Sequence, residues 1–202
     1  MISEHLFEKI REKNGCFASW AVWEPQSTKP KSNMGPKTIF DVRKNPTLLQ
    51  TLHTNVVMIA LNFSRELVAP EPFSNFHDES PYANDFKIRY AFTSTPFYGA
   101  YMTDALKNLV IPDAQKVRDY IKKYPEKPKE HIKALEIELD FIESKNPQIL
   151  AFGRDTYEIL KKYLSKNRYS QLIKITHYSH QVRKEKYKAD VLEQIEYQTA
   201  EQ

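Results

Sequence analysis

Residues 55–62 read NVVMIALN, six consecutive apolar side chains between two asparagines. The run is rich in branched residues and too short for a buried helix, so it predicts a strand covered on both faces. Such a strand needs helices above and below its sheet. The rest of the chain offers the same alternation. QILAFG (148–153) and QLIKITHYS (171–179) read as strands, the second running into a loop, and GAYMTDALKNLV (99–110) reads as a strand that turns into a helix. Between them lie amphipathic segments. Residues 3–13 have Leu6, Phe7 and Ile10 on one face, with Ser3 as a cap. PDAQKVRDYIKKY (112–124) admits Pro112 in its first turn. Residues 129–145 space Ile132, Leu135, Leu139 and Ile142 as a helix does, and 154–166 and 184–197 follow the same period. CFASWAVWE (16–24) reads as a strand or buried extended segment, 25–37 as a Pro-rich loop, and 63–86 as a long irregular stretch. The pattern predicts one α/β domain over 1–202, a three-layer α/β/α sandwich around a mostly parallel sheet. In such sheets ligands bind outside the carboxyl ends of the strands, here the ends of 55–62, 99–103 and 171–177.

Composition limits the chemistry. A chain that is 41% hydrophobic and 28% charged is not a disordered one. The single cysteine, Cys16, excludes a disulfide framework within the chain, a four-cysteine zinc site and a cysteine-held iron–sulfur cluster. It is expected as a buried thiol beside Phe17 and Trp20. The N-terminus has no secretory pattern, and no stretch reaches the ~20 apolar residues that span a bilayer. A cytoplasmic protein without a membrane partner is the expectation, and no metal or cofactor is suggested. The net charge of +4 is mild but unevenly placed. Residues 161–188 hold nine Lys/Arg and one acid, Glu185, whereas 63–86 holds five acids and one arginine, Arg65. The basic segment, with Tyr163, Tyr169, Tyr178 and Tyr187 interleaved, fits contacts to phosphates or, equally, a solvated helix face. The acidic stretch argues against simple duplex binding.

Four segments sit at or beside the strand ends: ALNFSRE (60–66), YMTDALK (101–107), Pro147–Gly153 and THYSHQ (176–181). In order and spacing, over roughly residues 55–195, they resemble the uracil-DNA glycosylase superfamily. That family carries a G-x-N/D-P-x motif, a Y-x-T-N-x-x-K segment, a P-x-x-I-x-x-x-G strand and a final H-P-S. This chain departs from the pattern with Ala60 for Gly, Phe63 for Pro, Asp104 for Asn and Tyr178 for Pro.

The resemblance implies a DNA glycosylase, a hydrolase of N-glycosidic bonds acting on a flipped base without metal or cofactor, with DNA as partner and DNA repair or attack on foreign DNA as its setting. It makes Asn62 and His177 the catalytic pair. Asn62 would position water beneath the sugar, and His177 would donate to the base oxygen that gains charge. The substrate would be held by Phe63, Phe76 and Asp104, with Phe73 a rival of Phe76 for stacking. DNA contacts would come from Ser64, Ser179, His180, Gln181, Arg183 and Lys184, with Gln181 at the wedge position. An ionised Asp104 only accepts hydrogen bonds, so it suits a base with an exocyclic amino group. Each residue also has a plain structural reading: Asn62 as a turn residue, His177 as a polar cap, Phe76 as loop packing, Asp104 as the cap of a helix over 105–110. Two other functions stay open on the same fold: an inactive module binding nucleic acid or protein, and a hydrolase of free nucleosides or nucleotides. No G-x-S-x-G elbow is present for a serine hydrolase.

Overall fold

The computed structural model describes residues 1–24, 37–64, 71–78 and 83–200. Most of the expected 25–37 loop lies outside the described residues, as do Arg65, Glu66 and Glu79 of the 63–86 stretch.

Five strands form one sheet: β1 (Ser19–Trp20), β2 (His53–Ala60), β3 (Ala100–Asp104), β4 (Gln148–Phe152) and β5 (Gln171–Ile175), in the order β1-β3-β2-β4-β5. The pairs β3–β2, β2–β4 and β4–β5 are parallel, and only β1 runs antiparallel, at the edge. The helices are α1 (Glu4–Asn14), α2 (Leu48–Thr51), α3 (Phe86–Phe92), α4 (Ala114–Lys123), α5 (Lys127–Phe141), α6 (Arg154–Tyr163) and α7 (Lys184–Ala200).

Strand periodicity divides the core in two. Val57 and Ile59 of β2 point into a layer with Leu6, Phe7 and Ile10 of α1, Leu135 and Leu139 of α5 and Leu160 of α6. Val56, Met58 and Ala60 point the other way, onto Ile88 and Phe92 of α3 and Tyr187, Val191 and Ile195 of α7. The sheet is therefore covered on both faces, as its apolar central strands require. No helix among the described residues is long and apolar enough to cross a membrane.

Helix α1 starts as expected, with Ser3 Oγ accepting from Leu6 N at 3.1 Å. From Ala18 to Trp23 the 16–24 segment is buried and extended as expected, with a strand at Ser19–Trp20 and Ala21 N donating to Ala100 O at 2.8 Å. Several other expectations need correction. Helix α4 begins after Pro112, because Asp113 takes the capping position and accepts from Lys116 N at 2.9 Å. No helix follows β3. The N–H groups of Ala105 and Leu106 go instead to the carbonyls of Ala60 and Leu61, both at 2.8 Å, so the chain stays pinned beside β2. Asp104 is thus not a helix cap. Helix α3 directly follows the supposed irregular stretch. It has seven residues and buries Lys87 and Arg89, so neither its length nor its composition advertises a helix. Cys16 is exposed and not buried, while its neighbours Trp20 and Ala18 are in the core.

Candidate active site

After β2 the chain moves to β3 on one side, then crosses to β4 on the other. That change of direction opens a crevice at the carboxyl ends of β2 and β4. A pocket of about 1090 Å³ occupies it, with walls from the turns after β2, β4 and β5 and from the start of α4.

Asn62 enters this pocket from the turn after β2. Beyond β2 the segment 61–63 runs alongside 105–111, held by a parallel bridge of Phe63 with Val110 and by Ile111 N donating to Phe63 O at 3.1 Å. This strip brings three carbonyls onto one amide. Asn62 Nδ2 donates to the oxygens of Phe63 (2.7 Å), Ile111 (2.9 Å) and Leu109 (3.1 Å). The nitrogen end is therefore fixed in protein, and Oδ1, which has no protein partner among the described residues, is the end left for a bound molecule.

His177 comes from the turn after β5 and faces the same pocket. Its Nδ1 accepts from the backbone N–H of Ser179 at 3.1 Å and meets Ser179 Oγ at 2.8 Å. An accepting Nδ1 carries no proton, so the neutral ring holds its N–H at Nε2. Desolvation of the half-buried ring pulls its pKa down to about 4, and the imidazole is neutral at pH 7. One face of the ring stacks on Tyr178, with centroids 4.2 Å apart. Gly153 sets the approach from β4: a Cβ there would sit 3.4 Å from Cβ of His177, and the backbone has φ +85°.

Ser64 and Ser179 also line the pocket, and so does Tyr178. Phe63 and Phe76 do not. Phe63 contributes backbone bonds to the strip beside Asn62, and Phe76 is buried in the α3–α7 layer, edge-on to Tyr178. Its rival Phe73 lies in the opposite layer against Phe7 and Phe40. Asp104 is buried behind the wall. Asn75 Nδ2 donates to its Oδ2 at 2.8 Å, and burial pushes its pKa up to about 6 even with Lys107 nearby. Asn62 and His177 are thus brought together; Phe76 and Asp104 are not brought to the same surface.

The proposed grip and wedge form an exposed turn beside the pocket. Buried Lys87 anchors it by donating to His180 O at 2.6 Å. Gln181 folds back on the turn, its Nε2 donating to Ser179 O at 2.9 Å. Arg183 is exposed, and the ammonium of Lys184 lies 4.6 Å from the Tyr90 ring centre. Much of the basic segment is engaged locally: Arg168 with Asp140 at 2.5 Å and Lys186 with Asp190 at 2.8 Å.

No protein-family model, curated protein or solved structure matches this chain. What the pocket can do is therefore argued from its own groups. Sequence reasoning passed over the opposite wall. There Asp155 and Glu158 of α6 face the space with Arg154, and Arg118 of α4 is bound to Asp155 at 2.9 Å. The signal was Gly153 at a strand end, which marks a turn into a helix start and places the next residues on the crevice. Asp78 and Asp85 add to the acidic side, joined by Asp78 N donating to Asp85 Oδ2 at 2.9 Å. Among the described residues no group of three or more His, Cys, Asp and Glu is placed to hold a metal ion.

Proposed function

We propose that this chain is a DNA glycosylase-like hydrolase that cleaves the N-glycosidic bond of a nucleobase turned out of its stack into the pocket. The observation that carries this reading is the pairing of the Asn62 carbonyl oxygen with the Nε2–H of a neutral His177 on one cavity at the switch point of the sheet.

The two groups divide the reaction between them. As the bond to the base lengthens, the sugar gains positive character and the base oxygen gains negative charge. A neutral Nε2–H aimed at that oxygen stabilises it without first having to lose a proton, and the partly dry site strengthens the interaction. Asn62 Oδ1 accepts from a water and holds it for attack on the sugar carbon as the bond to the base breaks, and the proton that the water loses ends on the departed base anion. An amide orients water but is a weak base, so turnover is slow. Ser64 lines the pocket and offers its hydroxyl and backbone N–H to a flanking phosphate, while the Ser179 hydroxyl donates to the unprotonated Nδ1 of His177 at 2.8 Å. The exposed turn at 179–182 fills the gap in the strand.

The test is release of base from oligonucleotides carrying uracil, mismatches or modified cytosines, read as abasic sites. Wild-type protein should give abasic product on at least one of these substrates, and Asn62→Ala and His177→Ala should each abolish it while keeping DNA binding. Base release that survives both substitutions overturns the assignment. A second reading, hydrolysis of free nucleosides, is favoured by the acidic wall of Asp78, Asp85, Asp155 and Glu158, which repels a phosphate backbone. Under it, base is released from nucleosides and DNA binding shows no salt dependence.

A further inference from the structure

The proposed reaction needs His177 to hold one ring nitrogen toward the pocket, yet the turn that follows it, 179–181, is exposed. An exposed turn keeps a functional side chain in one orientation only where rigid elements hold it. Helix α7 holds the entry of this turn. Tyr187 Oη donates to Thr176 O at 3.1 Å, and Gln194 Oε1 accepts from Thr176 N at 2.8 Å. The exit is held by α3. Lys87 Nζ donates to His180 O at 2.6 Å, a contact between residues 93 apart in the chain.

His180 is the node of the turn. Its N–H donates to His177 O at 2.9 Å, and its oxygen accepts from Val182 N at 2.9 Å as well as from Lys87. One turn along α3, on the same face as Lys87, the Tyr90 ring centre lies 4.6 Å from the ammonium of Lys184 and 5.6 Å from that of Lys188. Helix α3 therefore grips both the turn and the start of α7. Lys87 is only 4% exposed, and lysine is among the residues least often found inside, because a buried ammonium is costly without hydrogen bonds. Packing alone would be served at less cost by an apolar chain of the same length. What lysine adds is the donor.

We propose that Lys87 is a positioning residue for His177: by holding His180 O it fixes the 177–180 turn, and with it the ring orientation that presents Nε2–H to the pocket. Its catalytic consequence rests on the function proposed above; the fixing of the ring does not. Lys87 does not line the pocket. It acts through the backbone of His180 and through the bond from Ser179 N to His177 Nδ1.

The ring-nitrogen chemical shifts of His177 at pH 8 report its tautomer without any substrate. In wild type Nδ1 should be wholly unprotonated. Lys87→Met keeps the stem and removes the donor, and should give the tautomer mixture that the same residue shows in the urea-unfolded chain. Lys87→Arg, which can still donate, should keep the wild-type signature, whereas a lysine that served only as filler would be replaced better by methionine. In single-turnover assays Lys87→Met should slow base release about a hundredfold, the cost of a misplaced catalytic group, with DNA affinity little changed. Lys87→Arg should recover most of that rate. Circular dichroism checks folding, and Lys87→Leu replaces the methionine variant if that one does not fold. The proposal is overturned if the folded variant without the donor has the wild-type tautomer, if Lys87→Arg behaves as Lys87→Met does, or if the tautomer changes and the rate of release does not. If wild type releases no base from any substrate, the glycosylase reading fails, and the tautomer comparison still decides whether Lys87 fixes the ring.

Discussion

Ser179 donates its backbone N–H to Nδ1 of His177 at 3.1 Å, across a single intervening residue. This short bond settles which nitrogen of the imidazole faces the pocket as a donor. Combined with desolvation, it keeps the ring neutral: the pKa falls from 6.5 to about 4. The consequence for stability has a definite sign. Between those two values the unfolded chain binds a proton that the folded chain refuses, so stability is complete above pH 6.5 and falls as pH drops toward 4. Wild type should therefore lose more stability than His177→Gln between pH 7.5 and 4.5 in urea titrations. The ring proton signals of His177 should titrate with a midpoint near 4. A midpoint near 6.5 would remove the neutral donor from the mechanism. Base release should likewise show no loss from His177 protonation between pH 8 and 5.

Gly153 precedes α6 with φ +85° and ψ 170°, a region that only glycine occupies without strain. A Cβ there would only touch Cβ of His177, at 3.4 Å, so the constraint at this position is the backbone conformation and not space. Gly153→Ala should cost about 1–3 kcal/mol of stability from the backbone alone. A Cβ at 3.4 Å from Cβ of His177 is in ordinary van der Waals contact, so base release should fall no further than the lost stability explains. Thermal unfolding and single-turnover kinetics on the same preparation check this.

The parts of the fold legible in the sequence were those with a strong period. NVVMIALN, QILAFG and the spacing of Ile132, Leu135 and Leu139 each had one physical reading, and β2, β4 and α5 are where those readings put them. The parts missed were decided by distant partners. Residues 105–110 have the composition of a helix, yet their first N–H groups are taken by the carbonyls of Ala60 and Leu61. Helix α3 hid because Lys87 and Arg89 are buried, against the usual rule for long charged side chains. At the site, Asn62 and His177 were legible because each follows a strand directly. Phe76 and Asp104 lay in the right order along the chain, but both are buried away from the pocket, Phe76 in the α3–α7 layer and Asp104 against Asn75, and no spacing argument could place them there.

A second group of polar residues sits under β3, in the layer away from α3 and α7. Glu138 of α5 is buried, pairs with Lys107, and accepts from the hydroxyls of Tyr101 (2.8 Å) and Thr103 (2.9 Å). Asn14 Nδ2 donates in turn to the Tyr101 oxygen at 3.1 Å. A buried charge left without its partner is expensive, whereas removing both members can be nearly neutral. Lys107→Met should therefore lower the unfolding free energy by about 3–5 kcal/mol, and adding Glu138→Gln should restore much of it. Urea denaturation of the two single variants and the double variant checks the cycle. A double variant as unstable as the sum of the singles would mean that the pair is not coupled.

Asn62 also makes a prediction that its chemistry alone would not. If only an oxygen were needed over the sugar, aspartate would serve and would be the better base. Here the other end of the side chain is surrounded by the carbonyls of Phe63, Leu109 and Ile111, all within 3.1 Å of Nδ2. A carboxylate has no proton for them and would present oxygen to oxygen. Asn62→Asp should therefore destabilise the chain at pH 8, by about 1–3 kcal/mol for the lost donor contacts. The loss should shrink at low pH, where a protonated carboxyl again supplies a donor, so the sign of the pH dependence is opposite to that of His177. Asn62→Ala, with neither donor nor repulsion, should be less damaging to stability than Asn62→Asp at pH 8, yet equally inactive. If Asn62→Asp proves as stable as wild type at pH 8, the carbonyl cluster does not set the orientation of this side chain, and the claim that Oδ1 faces the pocket falls with it.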